Sequence, residues 1–416
     1  MTERPTAVEL TSRLFADDFP LTDPHPTYAR LRAEAPVVWH DDPGIWLLSR
    51  YAEVAAVNKD TTTFSSAKGI LALEIGIEYP TPPTMMHTDP PEHTRLRRAV
   101  AQGFRPSRIR ALEGQVAAHV DKLVSALPAD EPFDAVKALA APLPLMVICD
   151  LLGLPSSDWP LFWEWSDAVI PGAATLSDER RAELNAELDA LLRRHIADRR
   201  RHGGDDIVAD LVGAASAGAG PDAGAGTGVR PLDDDDVYIL LNQLLVAGNE
   251  TTRNLISGGI VALAERPGEW ERLRSQPEVL DPAVEELLRW TTPVVAFMRT
   301  ATCDTVVGGE HVRAGDPVLM LWASANRDDA EFGPDAAELH LDRHPNHHLA
   351  FGIGPHFCVG AALARLEGRL AFGALARRFA TLQPAGEARR SPSGIIAGLQ
   401  SAPVVGHVVG HVGEHR

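Results

Sequence analysis

Apolar residues recur at helical spacing in two long stretches of this chain. In residues 361–379, leucine and phenylalanine return roughly every three or four positions, which is the period of an amphipathic helix. A similar pattern follows the four aspartates at 233–236, and negative charge stabilises the N-terminal end of a helix. We therefore predict long helices over residues 233–265 and 361–379.

Three short runs of β-branched and large apolar residues, at 37–39, 45–48 and 318–321, predict the strands of a small sheet. The stretch 214–228 is rich in glycine and alanine and predicts a flexible internal loop, and we expect 407–416 to be a disordered tail. The whole pattern predicts a mainly α fold with a minor β-sheet region, arranged as a single domain over residues 1–416.

Composition narrows the class of protein. The chain has 416 residues, 45% of them hydrophobic, and a formal net charge of −18 at pH 7, which argues against nucleic acid as a partner. Charged residues break up the N-terminal segment, so we expect no membrane anchor and a cytoplasmic protein. Three widely separated cysteines argue against a disulfide framework. They are Cys149, Cys303 and Cys358.

Cys358 lies in a glycine-containing loop just before the predicted helix 361–379. Gly352 and Gly354 permit backbone geometry that other residues resist. At a helix N-terminus, backbone N–H groups and the helix dipole favour a thiolate over a thiol. A thiolate is a good soft ligand for iron, so Cys358 is a candidate iron ligand.

Three other interpretations of this loop are weaker. A dinucleotide-binding loop needs a third glycine where this chain has Phe357. A phosphatase-like nucleophile needs an arginine where Ala364 stands. An ordinary buried cysteine is the usual role of a lone cysteine, and the loop's neighbouring residues argue against it.

The helix predicted over 233–265 is interrupted by Ala247-Gly248-Asn249-Glu250-Thr251-Thr252. Glycine and β-branched threonine weaken a helix, and an acid in so apolar a stretch must find a partner or water. Local departures of this kind are typical of functional sites, although a solvent-exposed helical turn would show the same residues.

The segment 351–360 resembles the haem-binding loop of the cytochrome P450 family, and the resemblance runs from about residue 20 to the end of the chain. It implies the P450 fold, haem b (Fe-protoporphyrin IX) as cofactor and Cys358 as the axial thiolate ligand of its iron. The matched positions are Phe351, Gly352, Gly354, His356, Cys358 and Gly360.

The same resemblance assigns roles to the helix interruption. Ala247 and Gly248 make room for dioxygen on the distal face of the haem, and Glu250 and Thr251 handle protons as the catalytic pair. A hydroxyl beside a carboxylate is the chemistry that successive proton deliveries require.

Two further segments match the family. The resemblance assigns the haem propionates to His93 and Arg97, together with Arg299 and His356; arginine forks suit carboxylates well. We expect Arg95 and Arg98 to lie on a solvated basic face. Glu286 and Arg289 match the family's buried structural pair, although their spacing alone is equally typical of a weak surface ion pair.

The segments that the resemblance places over the haem are mostly apolar. Such a pocket favours a bulky hydrophobic molecule, such as a terpenoid, sterol, branched lipid or polyketide. Glu74 and Glu78 are candidates to anchor a basic group, or form a charged rim. The predicted pocket residues are Leu244, Val294, Val295, Phe297, Ile395 and Ile396.

By this resemblance the chain is a monooxygenase that inserts one oxygen atom from O2 into a C–H bond. We expect a monomer that receives NAD(P)H-derived electrons from ferredoxin and ferredoxin reductase, which dock on a basic patch. Two alternatives remain open: a peroxide-driven oxygenase and a haem protein that only senses or carries a ligand. The patch arginines are Arg95, Arg97, Arg98, Arg105, Arg108, Arg110, Arg365, Arg369, Arg377 and Arg378.

Overall fold

The computed structural model describes residues 7–79, 83–169, 176–217 and 232–408. Helices dominate these ranges. They are α1 (Ala7–Leu14), α2 (His25–Glu34), α3 (Tyr51–Lys59), α4 (Glu92–Gly103), α5 (Pro106–Ala126), α6 (Pro142–Leu152), α7 (Trp159–Val169), α8 (Asp178–His202), α9 (Ile207–Ala217), α10 (Asp234–Ala264), α11 (Pro267–Ser275), α12 (Leu280–Thr291), α13 (Trp322–Ala325), α14 (Asp329–Phe332) and α15 (Ala361–Arg378).

The strands form small sheets beside the helices. A five-stranded sheet has the order β1-β2-β8-β5-β3, with β2 and β8 parallel and the other pairs antiparallel. A three-stranded sheet has the order β4-β12-β9, and β6–β7 and β10–β11 are two-stranded. The strands are β1 (Val37–His40), β2 (Ile45–Leu48), β3 (Phe64–Ser65), β4 (Pro132–Asp134), β5 (Phe297–Ala301), β6 (Thr305–Val307), β7 (Glu310–Val312), β8 (Pro317–Met320), β9 (Phe379–Pro384), β10 (Arg389–Arg390), β11 (Leu399–Ser401) and β12 (Pro403–Val408).

The long helix α10 runs through the main hydrophobic core. It begins with a capping box, in which the Asp233 carboxylate accepts from the Asp236 N–H at 2.9 Å and the Asp236 carboxylate accepts from the Asp233 N–H at 3.1 Å. Leucines on several of its faces are buried, so α10 is enclosed by other helices, α6, α12 and α15 among them. This enclosure holds the predicted interruption at 247–252 inside the molecule.

The mainly α fold with a minor sheet is confirmed, and so are the two long helices and the three predicted strands. Two boundaries were wrong. Residues 214–217 end α9 instead of opening a loop, and His407 and Val408 belong to β12, because Val408 pairs with Phe379 of β9. The rest of the predicted loop and tail, 218–228 and 409–416, lies outside the described residues.

Across the described ranges, we find no helix that is both long enough and apolar enough to cross a membrane.

Candidate functional site

The loop before α15 is shaped by two glycines with positive φ. Gly352 has φ +66° and Gly354 has φ +80°. A Cβ on Gly354 would lie 3.1 Å from the Cα of Lys59 at the end of α3, so this glycine allows α3 to approach the loop. The Cys358 N–H donates to the Phe351 carbonyl oxygen at 2.9 Å and closes the loop. The side chain of Cys358 is left accessible.

The pKa of the Cys358 thiol is raised. Although the side chain is accessible, the protein atoms packed around the sulfur remove part of its solvation, and this desolvation is the larger influence. The N–H groups of Gly360 and Ala361 and the charges of Arg97 and Arg365 act in the opposite direction. The N–H groups at the start of α15 thus favour the thiolate, and desolvation opposes them. A metal ion bound at this sulfur would favour the thiolate further.

Four cationic or titratable side chains meet beside this loop, and we call them the cationic cluster: His93, Arg97, Arg299 and His356. The rings of His93 and His356 lie 4.0 Å apart, and Ser66 Oγ lies 3.3 Å from His356 Nε2. His93 comes from α4, as does Arg97, and Arg299 comes from β5. The structure therefore brings together all four residues predicted to hold the propionates.

Burial, followed by the charge of Arg97, lowers the pKa of His93 to about 4. Burial, followed by the charge of Arg299, lowers the pKa of His356 to about 3, and burial lowers the pKa of Arg299 to about 10. Positive charge is thus destabilised where these side chains converge. The nearby acid Asp89 accepts from Ser65 Oγ and from the Ser66 N–H.

The cationic cluster fits the carboxylates of haem. Within the described residues, His93 Nε2 and Arg299 Nε are buried without a hydrogen-bond partner, so both are donors that an anionic group can use. A soft sulfur on one side and two arginines with two histidines on the other match the iron and the propionates of one haem.

One face of α10 is open near the interruption at 247–252. Ala247 is exposed and Thr251, one turn further along, is partly exposed, whereas Leu244, Asn249 and Glu250 are buried. The Thr251 hydroxyl donates to the Ala247 carbonyl oxygen at 2.8 Å. Ala247 and Thr251 therefore present an open face of an otherwise enclosed helix.

Gly248 faces α6. A Cβ on Gly248 would lie 3.4 Å from Ile148 Cδ1, which is an ordinary van der Waals contact. The room for dioxygen at Gly248 stays a prediction.

The Glu250 carboxylate forms a buried ion pair with Arg253, one turn further along α10. Asn249 Nδ2 donates to Ser166 Oγ on α7 at 2.9 Å, which ties this turn of α10 to α7. Arg253 is not among the predicted site residues, although an arginine three residues after an acid in an apolar helix is a visible signal for such a pair.

Glu286 and Arg289 form a completely buried pair, as the resemblance implies. Arg289 Nε and Nη2 each donate to a different Glu286 oxygen at 2.7 Å, and Arg343 Nε donates to Glu286 at 3.2 Å. Arg289 also donates to the carbonyl oxygens of Asn326 and Ala336. The pair joins α12 to the chain leading into the cysteine loop, and the alternative of a weak surface pair is wrong.

Three of the six predicted pocket residues, Val294, Phe297 and Ile396, pack in one hydrophobic cluster, whereas Leu244 packs in the main core. Val294 pairs with Ile396 in an isolated antiparallel bridge, and the Val295 N–H donates to the Ile395 carbonyl oxygen at 2.9 Å. Phe297 packs edge-on against Trp322 with ring centroids 5.1 Å apart. Val295 packs instead in the N-terminal cluster with Leu31 and Leu321.

Arg95 is buried and does not lie on a solvated face. Its Nη1 donates to Asp236 Oδ2 at 2.9 Å, and its Nε donates to Glu92 at 2.8 Å. The Arg95 and Asp236 side chains are only 6% and 7% exposed. Arg98 is exposed, as expected. Arg95 therefore binds α4 to the start of α10 and cannot contribute to a docking patch.

The fold, the cysteine loop and the cationic cluster together fit a haem protein. A family model described as cytochrome P450 matches residues 156–403, and the chain belongs to this family. It is an oxidoreductase that incorporates oxygen from O2.

The chain is 33% identical to linalool 8-monooxygenase of Pseudomonas putida, over 92% of this chain and 95% of the relative. It is 35% identical to the polyketide biosynthesis cytochrome P450 PksS of Bacillus subtilis, over 86% and 88%. The crystal structure of CYP109E1 from Bacillus megaterium in complex with corticosterone superposes with a TM-score of 0.80 at 32% identity, covering 96% of this chain and all of that one.

Proposed function

We propose that this protein uses haem b to insert one oxygen atom of O2 into a C–H bond of a bulky hydrophobic small molecule. The main support is the loop that carries both Cys358 and His356, because the His356 ring contacts His93 of the cationic cluster. The loop thus holds a candidate iron ligand close to candidate propionate ligands. Haem, when bound, supplies the activation of dioxygen. In balance, the substrate R–H, O2, two electrons and two protons yield R–OH and water.

Cys358 would hold the iron, and the cationic cluster would hold the propionates. Because burial lowers the pKa values of His93, His356 and Arg299, carboxylates there would stabilise the charged forms of these side chains. Cofactor and cationic cluster would thus stabilise each other.

Glu250 and Thr251 would handle the protons. The Thr251 hydroxyl lies on the open face of α10, and its proton is held by the Ala247 carbonyl oxygen. For Thr251 Oγ1 to pass a proton on, that hydrogen bond must be exchanged for another. The Glu250 carboxylate must likewise loosen its pair with Arg253 before it can supply a proton.

Apolar side chains at Leu244, Val294, Phe297, Ile395 and Ile396 support a hydrophobic substrate held mainly by shape. The names of the relatives mention linalool, a polyketide and corticosterone, which differ widely in shape and share extended apolar surface. A terpenoid, sterol, branched lipid or polyketide is accordingly the proposed substrate class.

Electrons would come from ferredoxin and its reductase. Fewer arginines than predicted are available for docking, because Arg108 pairs with Asp210 and Arg365 pairs with Glu285. Arg98, Arg105 and Arg110 are exposed near α4 and the start of α5, and they are the proposed docking residues.

The first experiment is the absorption spectrum of the dithionite-reduced protein with carbon monoxide, since this Soret band reports the ligand opposite CO. We expect a strongly red-shifted band that is lost in Cys358→His and kept in Cys303→His, which alters an exposed cysteine elsewhere. Haem without the red-shifted band would contradict thiolate ligation, and absence of haem would contradict the whole proposal.

A comparison of electron sources then separates the alternatives. Product formation with a ferredoxin system and O2 supports the monooxygenase, whereas activity with hydrogen peroxide alone would favour the peroxide-driven oxygenase. A protein that binds haem and CO but turns over with neither source would be a sensor or carrier.

A further inference from the structure

The described parts of the segment between β3 and α4 are held by hydrogen bonds at both ends and on both sides. We call residues 69–79 and 83–88 the strap. At its base, Asp89 accepts from Ser65 Oγ and from the Ser66 N–H. The Met298 N–H donates to the Ile70 carbonyl oxygen at 2.6 Å, and the Met85 N–H donates to Gln243 Oε1 at 2.8 Å. The strap thus bridges β5, beside Arg299, and α10, beside Leu244.

A buried carboxylate organises the strap from within. Glu74 is only 6% exposed, and its Oε2 accepts from the N–H groups of Ile70 at 2.7 Å and Leu71 at 3.0 Å. Its Oε1 accepts from the Tyr79 hydroxyl at 3.0 Å and from His87 Nε2 at 3.1 Å. Donors from three separate parts of the strap therefore converge on one side chain.

His87 is held at both ring nitrogens. Its Nδ1 lies 2.8 Å from Thr84 Oγ1, which also accepts from the Met86 N–H, so the Thr84 hydroxyl proton points to His87. The edge of the His87 ring meets the Tyr79 ring with centroids 5.5 Å apart. Burial alone would raise the pKa of Glu74, but the hydrogen bond from His87 and the backbone donors lower it to about 2. The carboxylate is thus charged at neutral pH.

This arrangement excludes both roles that the sequence suggested for Glu74. An anchor for a basic ligand needs free acceptors, and a charged rim needs exposure, whereas the Glu74 oxygens are buried and engaged by the strap itself. The exposed surface of the strap is instead apolar at Leu73, 55% exposed, and Ile77, 46% exposed. Glu78 is exposed, as a rim residue would be.

We propose that Glu74 and His87 form a clasp that sets the size of the apolar ligand admitted to the site. The proposal rests on the proposed haem site. The strap joins the edge of the cationic cluster to α10, so a ligand too wide for the closed arrangement must displace it. Displacement would separate a buried carboxylate from its donors, which is costly because charge-assisted hydrogen bonds are strong where water is excluded. A ligand that fits inside the closed strap incurs no such cost.

The experiment measures the binding rates of two azoles to the ferric, haem-loaded protein by the Soret shift. Imidazole is the small probe and clotrimazole is the bulky one. Glu74→Gln keeps the shape but replaces an acceptor oxygen by an NH2 group that faces donors. We expect about tenfold faster clotrimazole binding in Glu74→Gln and imidazole rates within about twofold of the parent.

Glu78→Gln is the matched control, since it removes an exposed carboxylate from the same strap and should alter neither rate. Tyr79→Phe removes one donor and leaves the His87 contact, so it should fall between the parent and Glu74→Gln. Unchanged clotrimazole binding in Glu74→Gln would overturn the proposal. So would equal acceleration of both probes, because the clasp would then not discriminate by size.

Amide hydrogen exchange across 69–79 separates this proposal from the haem site on which it rests. On the protein as purified, with or without haem, Glu74→Gln should speed exchange there at least tenfold, and Glu78→Gln should not. Fast exchange in a chain that fails to bind haem would contradict the proposed function and leave the clasp intact. Unchanged exchange would overturn the clasp.

Discussion

At Cys358, two influences on the sulfur oppose each other. The backbone N–H groups of Gly360 and Ala361 favour the thiolate, while burial raises the pKa of the thiol and prevails. A bound iron would add positive charge at this sulfur, so ligation and deprotonation of Cys358 are expected to occur together.

Thr251 is the residue at which proton delivery is tested. Thr251→Ala removes the hydroxyl from the open face of α10, and reducing equivalents should be diverted to hydrogen peroxide. We expect product formed per NAD(P)H oxidised to fall on the order of tenfold or more. Thr252→Ala, at the buried neighbouring position, is the control. Full coupling in Thr251→Ala would refute the relay.

Arg253 offers a stability test of the buried pair on α10. Arg253→Gln leaves the Glu250 carboxylate without this partner, and we expect a loss of about 3 kcal/mol in the free energy of unfolding. The double variant Glu250→Gln with Arg253→Gln should lose less than the sum of the two single variants, because neither charge is then left alone. Urea unfolding gives the free energies of the parent, the two single variants and the double variant. If the losses of the two single variants simply add up in the double variant, the pair is not coupled.

At the scale of elements, charged side chains decide how the helices that frame the site are joined. Arg95 links α4 to the capping box of α10. The Glu285 carboxylate of α12 binds both Arg365 of α15 and His348. Arg365 also lies over the Phe351 ring at 4.6 Å, so this group braces the cysteine loop. Several arginines that looked like surface residues in the sequence are thus structural.

Arg95 and Arg98 make a matched comparison on one helix. Arg95→Ala removes the arginine that pairs with the buried Asp236 carboxylate and should lower the free energy of unfolding by about 3 kcal/mol. Arg98→Ala alters an exposed side chain and should change it by less than about 0.5 kcal/mol. Urea denaturation at neutral pH distinguishes the two, and equal effects would mean that the Arg95–Asp236 pair is not structural.

The Glu285 group predicts a pH dependence. Burial alone would raise the pKa of Glu285, but Arg365 and His348 lower it to about 2. A depressed carboxylate pKa stabilises the fold above the unfolded-state value near 4.5, and this stability is lost as the pH falls toward about 2. Glu285→Gln should therefore cost on the order of 2 kcal/mol at pH 7 and progressively less below pH 4. Glu278→Gln, at an exposed position nearby, should show no such trend in unfolding measurements.

At the scale of the whole molecule, the chain is acidic, with a net charge of −18. The proposed docking area contains exposed Arg98, on the helix that supplies His93 and Arg97, and exposed Arg105, which lies 3.9 Å from Asp210. Opposite charges speed the encounter of two proteins and do so less at high salt. Docking by electrostatic attraction is therefore expected to depend on these few arginines.

Neutralising both arginines tests this expectation. Arg98→Ala with Arg105→Ala should slow reduction by a ferredoxin several-fold at low salt and flatten the dependence of the rate on ionic strength. Arg313→Ala, which removes an exposed arginine just after β7, should do neither. Stopped-flow reduction at several salt concentrations provides the rates, and an unchanged salt dependence would exclude the proposed docking area.

By itself, the sequence determined the features that depend on local spacing. Helical periodicity predicted α10 and α15, and short runs of β-branched and large apolar residues predicted β1, β2 and β8. The residues around Cys358 identified the loop and the family. The members of the cationic cluster were also named in advance through the family resemblance. These features are visible because neighbours in the chain produce them.

Only the tertiary structure decided which charges are paired and which are buried. Arg95 meets Asp236 across 141 positions, and Glu74 meets His87 inside the strap, so no local pattern reveals either contact. The pKa of Cys358 likewise depends on desolvation by packed atoms from several elements. Coulomb and desolvation energies follow distances in space, and spacing along the sequence does not determine those distances.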